Sequence, residues 1–359
     1  MLKRYMHRRE RHFAMLNDNR VALPFEWGAE FVAEDADSND GRAALNAHTD
    51  RVLRDSDSYF ATPQIDSFAV NVREIPSSGS ISAEELEPPA PPIEMPVVTW
   101  QSSLSTLSPE NNTAYATYFP HPDKRAAVVL LPHWNAKAGT YFDLARFFNK
   151  VGLSALRLTL PYHEERMPPE LERADHLVSP NIGRTLQSVR QSVLDTRAAV
   201  QWLKRQGYEK VGLVGTSIGS CVAFLTFVHD PDVDAAVFNH VSGYMADVVW
   251  NGLSTYHVRD GIGDNITLDE LRNFWLPVSP MAYMERLATL PMRPQRYIYT
   301  LYDLSFPVEL SRDVMRELRR RNIKHSKAAI PCGHYTLGEK PWVYLDGYKI
   351  IRFLHKHLK

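Results

Sequence analysis

Residues 97–359 alternate between short runs rich in aliphatic and β-branched residues and longer stretches with helical periodicity. The runs include AAVVLLP at 126–132, SALRLTLP at 154–161 and KVGLVGTS at 210–217. A strand covered on both faces has a continuous apolar sequence, and alternation of such strands with helices is typical of a mainly parallel sheet. The sequence therefore predicts an α/β fold, a mainly parallel sheet flanked by helices.

The same alternation predicts the order of the remaining elements. Helices are expected at 141–152, 182–203, 218–229, 307–322 and 342–358, the second of them with a buried stripe of apolar residues at helical spacing. Further strands are expected at the runs VVTWQSS, TAYATYF, VDAAVFNHV, RYIYTLYD and SKAAIPCG.

The first 96 residues lack this alternation. They contain an acidic patch between positions 34 and 40 and a proline-rich run at 74–96. Proline removes a backbone donor, so this run cannot form a helix or a central strand. We expect residues 1–96 to be an N-terminal extension, whose proline-rich run links or straps it to one domain at 97–359.

Composition narrows the class of protein. A hydrophobic share of 44% allows a substantial core, and 41 basic residues against 42 acidic ones argue against a nucleic-acid partner. Two cysteines are too few for a disulfide framework or a thiolate metal site, which indicates a reducing, cytoplasmic compartment. The chain shows no transmembrane segment or secretory signal, so we expect a soluble protein. Its basic N-terminus should form a solvated helix rather than one on an anionic membrane.

A G-x-S-x-G sequence, Gly215 to Gly219, lies where the strand run KVGLVG meets the helical run IGSCVAFLTF. At such a junction the central serine, Ser217, is held in a strained turn with its hydroxyl above the sheet. The flanking glycines are needed because strand and helix approach too closely for a Cβ atom. The pattern predicts Ser217 as a nucleophile; the alternative is a serine that only caps the helix.

A serine hydroxyl needs a general base, and the base needs a partner that fixes its tautomer. His334 follows the last predicted strand, and Asp303 ends the strand run RYIYTLYD. Because serine, acid and histidine follow the chain order expected for this turn, we predict the triad Ser217, Asp303 and His334. Three alternatives stay open: His334 has no role, Asp303 caps the helix near Pro307, or Asp247 is the acid.

These motifs carry a resemblance to a known family. From about Val97 to the C-terminus, the chain resembles the α/β-hydrolase superfamily. The runs LLPHWNAK, LRLTLPYHEERMP, GTSIGSC and PCGHYT further resemble the branch that includes alpha/beta hydrolase domain-containing protein 18. The resemblance implies the α/β-hydrolase fold and a carboxylic-ester hydrolase that acts on a small-molecule or acyl-lipid ester, without identifying the substrate.

Acyl transfer also requires donors for the developing oxyanion. The backbone N–H of Ile218, directly after the nucleophile, should be one donor. The second should come from the loop after AAVVLLP, where the N–H of Trp134 is the best candidate and His133 is assigned to substrate binding. This loop begins like the His-Gly loop of lipases but has tryptophan where glycine is usual, which leaves the second donor open.

Two other histidines, His163 and His240, also follow predicted strands, and we interpret both as structural. Together with Glu164 they lack the compact spacing of metal ligands. The sequence therefore predicts no metal and no cofactor.

The segment at 242–290 is too long for an ordinary connection, so it is predicted to form a cap of two or three short helices. Among its aromatic residues, Trp250 and Trp275 are predicted to bind the substrate by walling an apolar acyl pocket. We therefore expect hydrolysis of esters with an uncharged, apolar acyl group. Two other functions stay open: a serine amidase or peptidase of the same fold, and a catalytically silent binding protein that a fluorophosphonate probe would not label.

Overall fold

The computed structural model describes residues 2–16, 18–32, 40–77 and 91–359. Most of the acidic patch and the centre of the proline-rich run, at 78–90, lie outside these ranges. Within them, no helix has the length and apolar character needed to cross a bilayer.

A mixed sheet forms the centre of the molecule. The described residues contribute nine strands to it, in the order β1-β2-β3-β5-β4-β6-β7-β8-β9. The first three strands and β5 pair antiparallel, and all pairs from β5–β4 to β8–β9 are parallel. The strands are β1 Ala69–Ile75, β2 Ile93–Gln101, β3 Thr113–Phe119, β4 Ala126–Leu131, β5 Ser154–Leu158, β6 Lys210–Thr216, β7 Ala235–Asn239, β8 Gln295–Thr300 and β9 Ser326–Ile330.

Helices lie on both faces of the sheet, as predicted. Side chains alternate between the faces along each strand: Val129 and Leu131 join one apolar cluster, and Val128 and Leu130 join the other. The helices are α1 Leu2–Met15, α2 Gly41–Arg54, α3 Ser56–Tyr59, α4 Phe142–Lys150, α5 Ile182–Arg205, α6 Ile218–His229, α7 Met245–Asn251, α8 Tyr256–Ile262, α9 Leu268–Phe274, α10 Met284–Thr289, α11 Val308–Arg320 and α12 Trp342–Leu358.

The N-terminal region is built into this architecture. Strand β1 pairs antiparallel with β2, so the ends of the proline-rich run lie in the edge strand β1 and in its neighbour β2. Leu45 of α2 and Phe60, both fully buried, belong to the same apolar cluster as α5 and α6. Position 97 is therefore not a boundary of the sheet, because two strands begin before it.

The cap predicted at 242–290 lies between β7 and β8 and contains α7, α8, α9 and α10, joined by short 3₁₀ turns. It has four short helices rather than two or three, because proline and glycine interrupt the chain. Helix α9 begins at a capping box in which Thr267 and Glu270 exchange hydrogen bonds.

The parallel strands all end at one edge of the sheet, and five of the connections that follow them carry polar side chains. His133 follows β4, Ser217 follows β6, His240 follows β7, Asp303 follows β8 and His334 follows β9. Ligands bind beyond the carboxyl ends of strands in open α/β sheets. The topology therefore gathers these residues at one place.

Candidate active site

Ser217 lies in a strained turn between β6 and α6, with φ 57° and ψ −123°. A Cβ added to Gly215 would lie 2.0 Å from the Gly219 carbonyl oxygen, and one added to Gly219 would lie 2.3 Å from the Leu131 carbonyl oxygen. Both glycines are therefore required by close backbone approach. Ser217 lines a large cavity above this turn. A strained backbone that the surroundings hold in place is frequent at functional sites.

Asp303 lies just beyond β8 and is almost completely buried. Its Oδ1 accepts hydrogen bonds from the backbone N–H groups of Ser305 and Phe306, at 2.8 and 2.7 Å. These bonds hold the turn before α11, whose N-cap residue is Pro307. The carboxylate thus shapes the turn that leads to the helix with one oxygen and leaves the other free for a different task.

The second oxygen, Oδ2, accepts hydrogen bonds from two histidines. His240 Nδ1 lies 2.9 Å from it and His334 Nδ1 lies 3.2 Å from it, while the Thr300 hydroxyl donates at 2.9 Å. Burial alone would raise the pKa of Asp303, but His334 and these hydrogen bonds hold it well below its usual range. Asp303 is therefore ionised and fixes the tautomer of both rings, with the proton on Nδ1.

His334 is the more basic of the two histidines. Burial lowers its pKa, but Asp303 and Glu10 together raise it above the usual value. His240 has a lowered pKa because it is buried and lies beside His334, with ring centroids 4.4 Å apart. Two imidazoles this close to each other disfavour double protonation, so His334 takes the proton and His240 stays neutral. The Phe306 ring stacks on His334 with an interplanar angle of 6°.

The raised pKa of His334 sets an expected pH profile. A general base must be neutral, so kcat/KM for ester hydrolysis should fall as the pH drops through a midpoint above the usual 6.5. Initial rates from about pH 5 to pH 9 measure this midpoint. The rate of fluorophosphonate labelling should follow the same limb, and a midpoint at or below 6.5 would contradict the assignment.

Ser217, His240 and His334 all line the cavity. Within the described ranges, Ser217 Oγ makes no hydrogen bond to either histidine. Catalytic hydrogen bonds are often long before substrate binds and shorten in the reacting complex. We therefore expect the contact between Ser217 and His334 to form when substrate is bound.

The loop after β4 is held by side-chain contacts that leave one N–H free. Asn135 N donates to His163 Nε2 at 2.8 Å, and His163 Nδ1 lies 2.9 Å from the Pro161 carbonyl oxygen. The Trp134 indole donates to the Ala174 carbonyl at 2.8 Å. In the part of the chain that the structure describes, neither Trp134 N nor Ile218 N has a hydrogen-bond acceptor. Both N–H groups are thus available as oxyanion donors, whereas that of Asn135 is not.

His133 lines the cavity at the start of this loop. Its Nδ1 lies 2.9 Å from the Tyr141 hydroxyl. Burial and, after it, the neighbouring His334 lower the pKa of His133 to about 3, so the ring is neutral. A neutral imidazole in this place can hydrogen-bond a substrate without repelling a protonated His334.

Asp247, the alternative acid, lies in cap helix α7. Its carboxylate pairs with Arg272 at 2.7 Å and makes no hydrogen bond to a histidine among the described residues. The geometry therefore favours Asp303 as the partner of His334.

His240, Asp303 and His334 each offer a possible metal-ligand atom, and these atoms lie within 4.8 Å of one another. Both Nδ1 atoms lie at hydrogen-bond distance from the same carboxylate oxygen. A metal ion bound to these atoms would have to replace the protons on both Nδ1 atoms. Hydrogen bonds from the two histidines to Asp303 explain the arrangement without a metal ion, and the absence of a metal stays a prediction.

The cavity has a volume of about 1150 Å³. Three parts of the chain wall it: the loops at the strand ends, the cap and the N-terminal segment. The cap contributes mainly aliphatic side chains, among them Met245, Val248 and Val249. The N-terminal segment contributes Phe13, Ala14, Leu16 and Arg20.

The prediction that Trp250 and Trp275 bind the substrate is not supported by their positions. Neither indole belongs to the described residues that line the cavity. Trp275 is fully buried and donates its Nε1–H to the Ile182 carbonyl at 3.1 Å. The Trp250 ring lies under the Arg259 guanidinium, 3.7 Å from its central carbon. Trp275 thus packs in the core and Trp250 lies half-buried against Arg259, whereas Met245, Val248 and Val249 of α7 line the cavity.

The sequence matches no protein-family model and no curated protein. Solved structures share its architecture at low identity. An acetyl xylan esterase from Paenibacillus sp. R4 has a TM-score of 0.57 at 11% identity, covering 92% of this chain and 99% of that one. An acylaminoacyl peptidase from Pyrococcus horikoshii has a TM-score of 0.55 at 13% identity, covering 82% and 42%. A puromycin-hydrolyzing peptidase from Mycobacterium tuberculosis has a TM-score of 0.54 at 13% identity, covering 81% and 46%.

The chain has the α/β-hydrolase fold. It spans less than half the length of the two peptidases and nearly the whole of the esterase. In this hydrolase fold, the three residues predicted from the sequence as a triad lie at the carboxyl ends of β6, β8 and β9.

Two polar groups beside the site are absent from the predicted triad. The sequence predicts a structural role for His240, and the structure places it at the same sheet edge as Ser217, at hydrogen-bond distance from Asp303. Glu10 was missed because it lies in a basic helix far from the triad in sequence. A single acidic residue among many cations is a weak signal, but it is one that could have been noticed.

Proposed function

We propose that this protein is a serine hydrolase that cleaves carboxylic esters through an acyl-enzyme intermediate. The observation that carries the proposal is the hydrogen bond between Asp303 and His334 at the edge of the cavity that holds the strained Ser217. This combination supplies a base with a fixed tautomer and a presented nucleophile.

In the first step, His334 Nε2 accepts the Ser217 hydroxyl proton while Oγ attacks the ester carbonyl carbon. The carbonyl oxygen gains the negative charge, which the N–H groups of Ile218 and Trp134 stabilise. The bond to the alcohol oxygen then breaks, and His334 gives its proton to that oxygen. The alcohol leaves, and the acyl group stays bound to Ser217.

In the second step, a water molecule gives a proton to His334 as its oxygen attacks the acyl carbon. The same oxyanion donors stabilise the second tetrahedral intermediate. Collapse breaks the bond to Ser217 Oγ, which recovers the proton from His334, and the carboxylic acid is released. Throughout, Asp303 stays ionised and stabilises the imidazolium.

The proposed substrate is a small-molecule or acyl-lipid ester with an apolar acyl group. Apolar side chains, including Ile218, Met245 and Val248, line the cavity that contains Ser217. A cavity of about 1150 Å³ is slightly larger than the roughly 300–1,000 Å³ of ordinary small-molecule sites. A long or branched acyl group would fill such a space better than an acetyl group.

An assay of an acyl ester against the matched anilide tests the reaction class. Two of the structural neighbours are peptidases, so amide cleavage is the second candidate function. We expect kcat/KM for the ester to exceed that for the anilide by at least about 10²-fold, because an alcohol oxygen leaves the tetrahedral intermediate more readily than an amine nitrogen does. A preference for the anilide would favour the peptidase function.

Substitution of Val248 tests where the acyl group lies. Val248→Trp would occupy cavity space next to α7, so the ratio of kcat/KM for long over short acyl esters should fall about tenfold or more. Trp250→Ala, in the same helix but outside the cavity lining, is the matched control and should leave this ratio unchanged. Normal labelling of both variants by a small fluorophosphonate shows that they fold. An unchanged ratio in Val248→Trp would place the acyl group elsewhere.

Three finer assignments belong to the proposal. Membership of the branch that includes alpha/beta hydrolase domain-containing protein 18 is supported by the sequence motifs. A cytoplasmic location is supported by Cys221 and Cys332, which are both free thiols. Independence from metals and cofactors is supported by a triad that needs neither.

A further inference from the structure

A buried carboxylate connects the N-terminal helix α1 to the loop that carries His334. Glu10 has no exposed surface. Its Oε1 accepts hydrogen bonds from the backbone N–H and the hydroxyl of Thr336, both at 2.8 Å, and its Oε2 accepts one from Tyr335 N at 3.1 Å. The two residues that follow His334 are therefore bonded directly to α1.

The residue before His334 belongs to the same network. Gly333 N donates to the Thr336 hydroxyl at 2.8 Å, and that hydroxyl in turn donates to Glu10. A Cβ added to Gly333 would lie 2.1 Å from Glu10 Cδ, so the loop can approach the carboxylate only because this residue is glycine. Glu10 thus fixes the chain on both sides of His334.

Two arginines add contacts around this network. The Arg9 guanidinium pairs with Glu339 at the end of the loop. Arg20 donates to the Tyr335 hydroxyl at 3.0 Å and to the Ala14 carbonyl at 2.8 Å. The loop is therefore held against the N-terminal segment at Tyr335, Thr336 and Glu339.

Attachment of α1 to the His334 loop could be achieved by exposed side chains and does not by itself require a buried carboxylate. Burial of an ionised carboxyl group is costly unless hydrogen bonds compensate for the lost water. Burial and the nearby charge of Asp303 raise the pKa of Glu10, and its hydrogen bonds from Thr336 and Tyr335 oppose this rise only in part. The three donors aimed at its two oxygens match an ionised carboxylate. Such a group imposes one position on the loop, because any displacement would leave it buried without partners.

We propose that Glu10 is a positioning residue for catalysis, which holds the His334 loop in the geometry that the triad requires. This inference rests on the proposed hydrolase function. It makes α1, which lies outside the predicted hydrolase domain, an integral part of the active site. Glu10 does not line the cavity and has no contact with the substrate space.

An electrostatic effect should accompany the positioning. The charged and titratable groups that influence His334 are Asp303, His240, His133 and Glu10. Asp303 and Glu10 are the two negative charges among them, and both favour the protonated imidazole. Loss of the Glu10 charge should therefore lower the pKa of His334.

Groups that face Glu10 itself are few. Asp303 and the Cys332 thiol lie close enough to interact with its charge, and Tyr335 also senses it. The arginine next to it in sequence, Arg9, is engaged with Glu339. In the described chain, then, no cation neutralises Glu10 directly.

The test compares Glu10→Gln with Arg8→Gln in the full-length protein. Glutamine keeps the shape of Glu10 but has only one acceptor oxygen. Its NH₂ group must therefore face a donor, either Tyr335 N–H or the donors of Thr336, and one of these hydrogen-bond positions is lost. We expect kcat of Glu10→Gln on a small ester to fall about 10- to 100-fold with little change in KM. The acid limb of its kcat/KM profile should move to lower pH by about 0.5 to 1 unit. Arg8 is exposed on the same helix, and Arg8→Gln should match wild type in both readouts.

A second pair keeps the inference testable if Glu10→Gln does not fold. Thr336→Val removes the hydroxyl that bridges Glu10 and Gly333, and should lower kcat in the same manner. Thr336→Ser keeps that hydroxyl and should retain most of the activity. Equal activity of Thr336→Val and Thr336→Ser would overturn the inference. A Glu10→Gln variant with the kcat and the pH profile of wild type would also overturn it. Failure of wild-type protein to hydrolyse esters or to react with a fluorophosphonate would instead overturn the proposed function.

Discussion

Ser217→Ala is expected to lower ester hydrolysis by about four to six orders of magnitude, because it removes the hydroxyl that the strained turn presents to the substrate. Alanine fits the space of serine, so the fold should persist. Initial-rate assays with an activated ester measure the loss, and circular dichroism with thermal unfolding checks the fold. Retention of more than a few per cent of wild-type activity would contradict the assignment of the nucleophile.

Ser217→Gly is a matched variant that separates chemistry from stability. A residue with φ 57° and ψ −123° is strained unless it is glycine. We expect this variant to be as inactive as Ser217→Ala, with a free energy of unfolding no lower than that of wild type. An active glycine variant would mean that another group attacks the substrate.

Asp303→Asn is expected to lower kcat by about 10³- to 10⁴-fold. In asparagine an NH₂ group replaces Oδ2. This group is a donor, so it cannot accept the hydrogen bonds that His240, His334 and Thr300 give to Oδ2. His334 then loses the charge that stabilises its imidazolium and the contact that fixes its tautomer. Steady-state kinetics at a pH above the acid limb measure the effect on kcat.

Asp247→Asn is the control for this second variant. Asp247 pairs with Arg272 on the cap and not with a histidine, so its loss should change kcat less than about threefold. Should Asp247→Asn be the more damaging substitution, the carboxylate of the triad would have to be reassigned.

Much of the fold could be predicted because its central strands are buried on both faces. AAVVLLP, KVGLVGTS and VDAAVFNHV have continuous apolar sequences, and the strands β4, β6 and β7 lie within them. Strand β1 was missed for the opposite reason. It lies at the edge of the sheet, where its alternating residues Val70 and Val72 are exposed and not part of the core, and its last two residues belong to the proline-rich run.

The gathering of the three predicted triad residues at one edge of the sheet follows for a related reason. Ser217, Asp303 and His334 each follow a recognisable strand, and parallel strands end at the same edge of a sheet. Contacts that depend on three-dimensional packing could not be predicted. The bond between His240 and Asp303 joins residues 63 positions apart, and that between Glu10 and Thr336 joins residues 326 positions apart.

The substrate-binding tryptophans were predicted from composition alone. Aromatic residues in a cap either pack inside it or face the pocket, and the sequence does not distinguish these two outcomes. The Trp275 indole donates a hydrogen bond to the Ile182 carbonyl in α5, and the Trp250 ring packs against the Arg259 guanidinium. Neither interaction could be predicted without knowing where Ile182 and Arg259 lie in the folded protein.

Covalent modification of Ser217 is the most direct test of the proposed function. Wild-type protein is incubated with a fluorophosphonate, digested and analysed by mass spectrometry, with Ser217→Ala and heat-denatured protein as controls. We predict a single phosphonylated site at Ser217, in native wild-type protein only. Absence of an adduct, or an adduct on another residue that persists in Ser217→Ala, would contradict it.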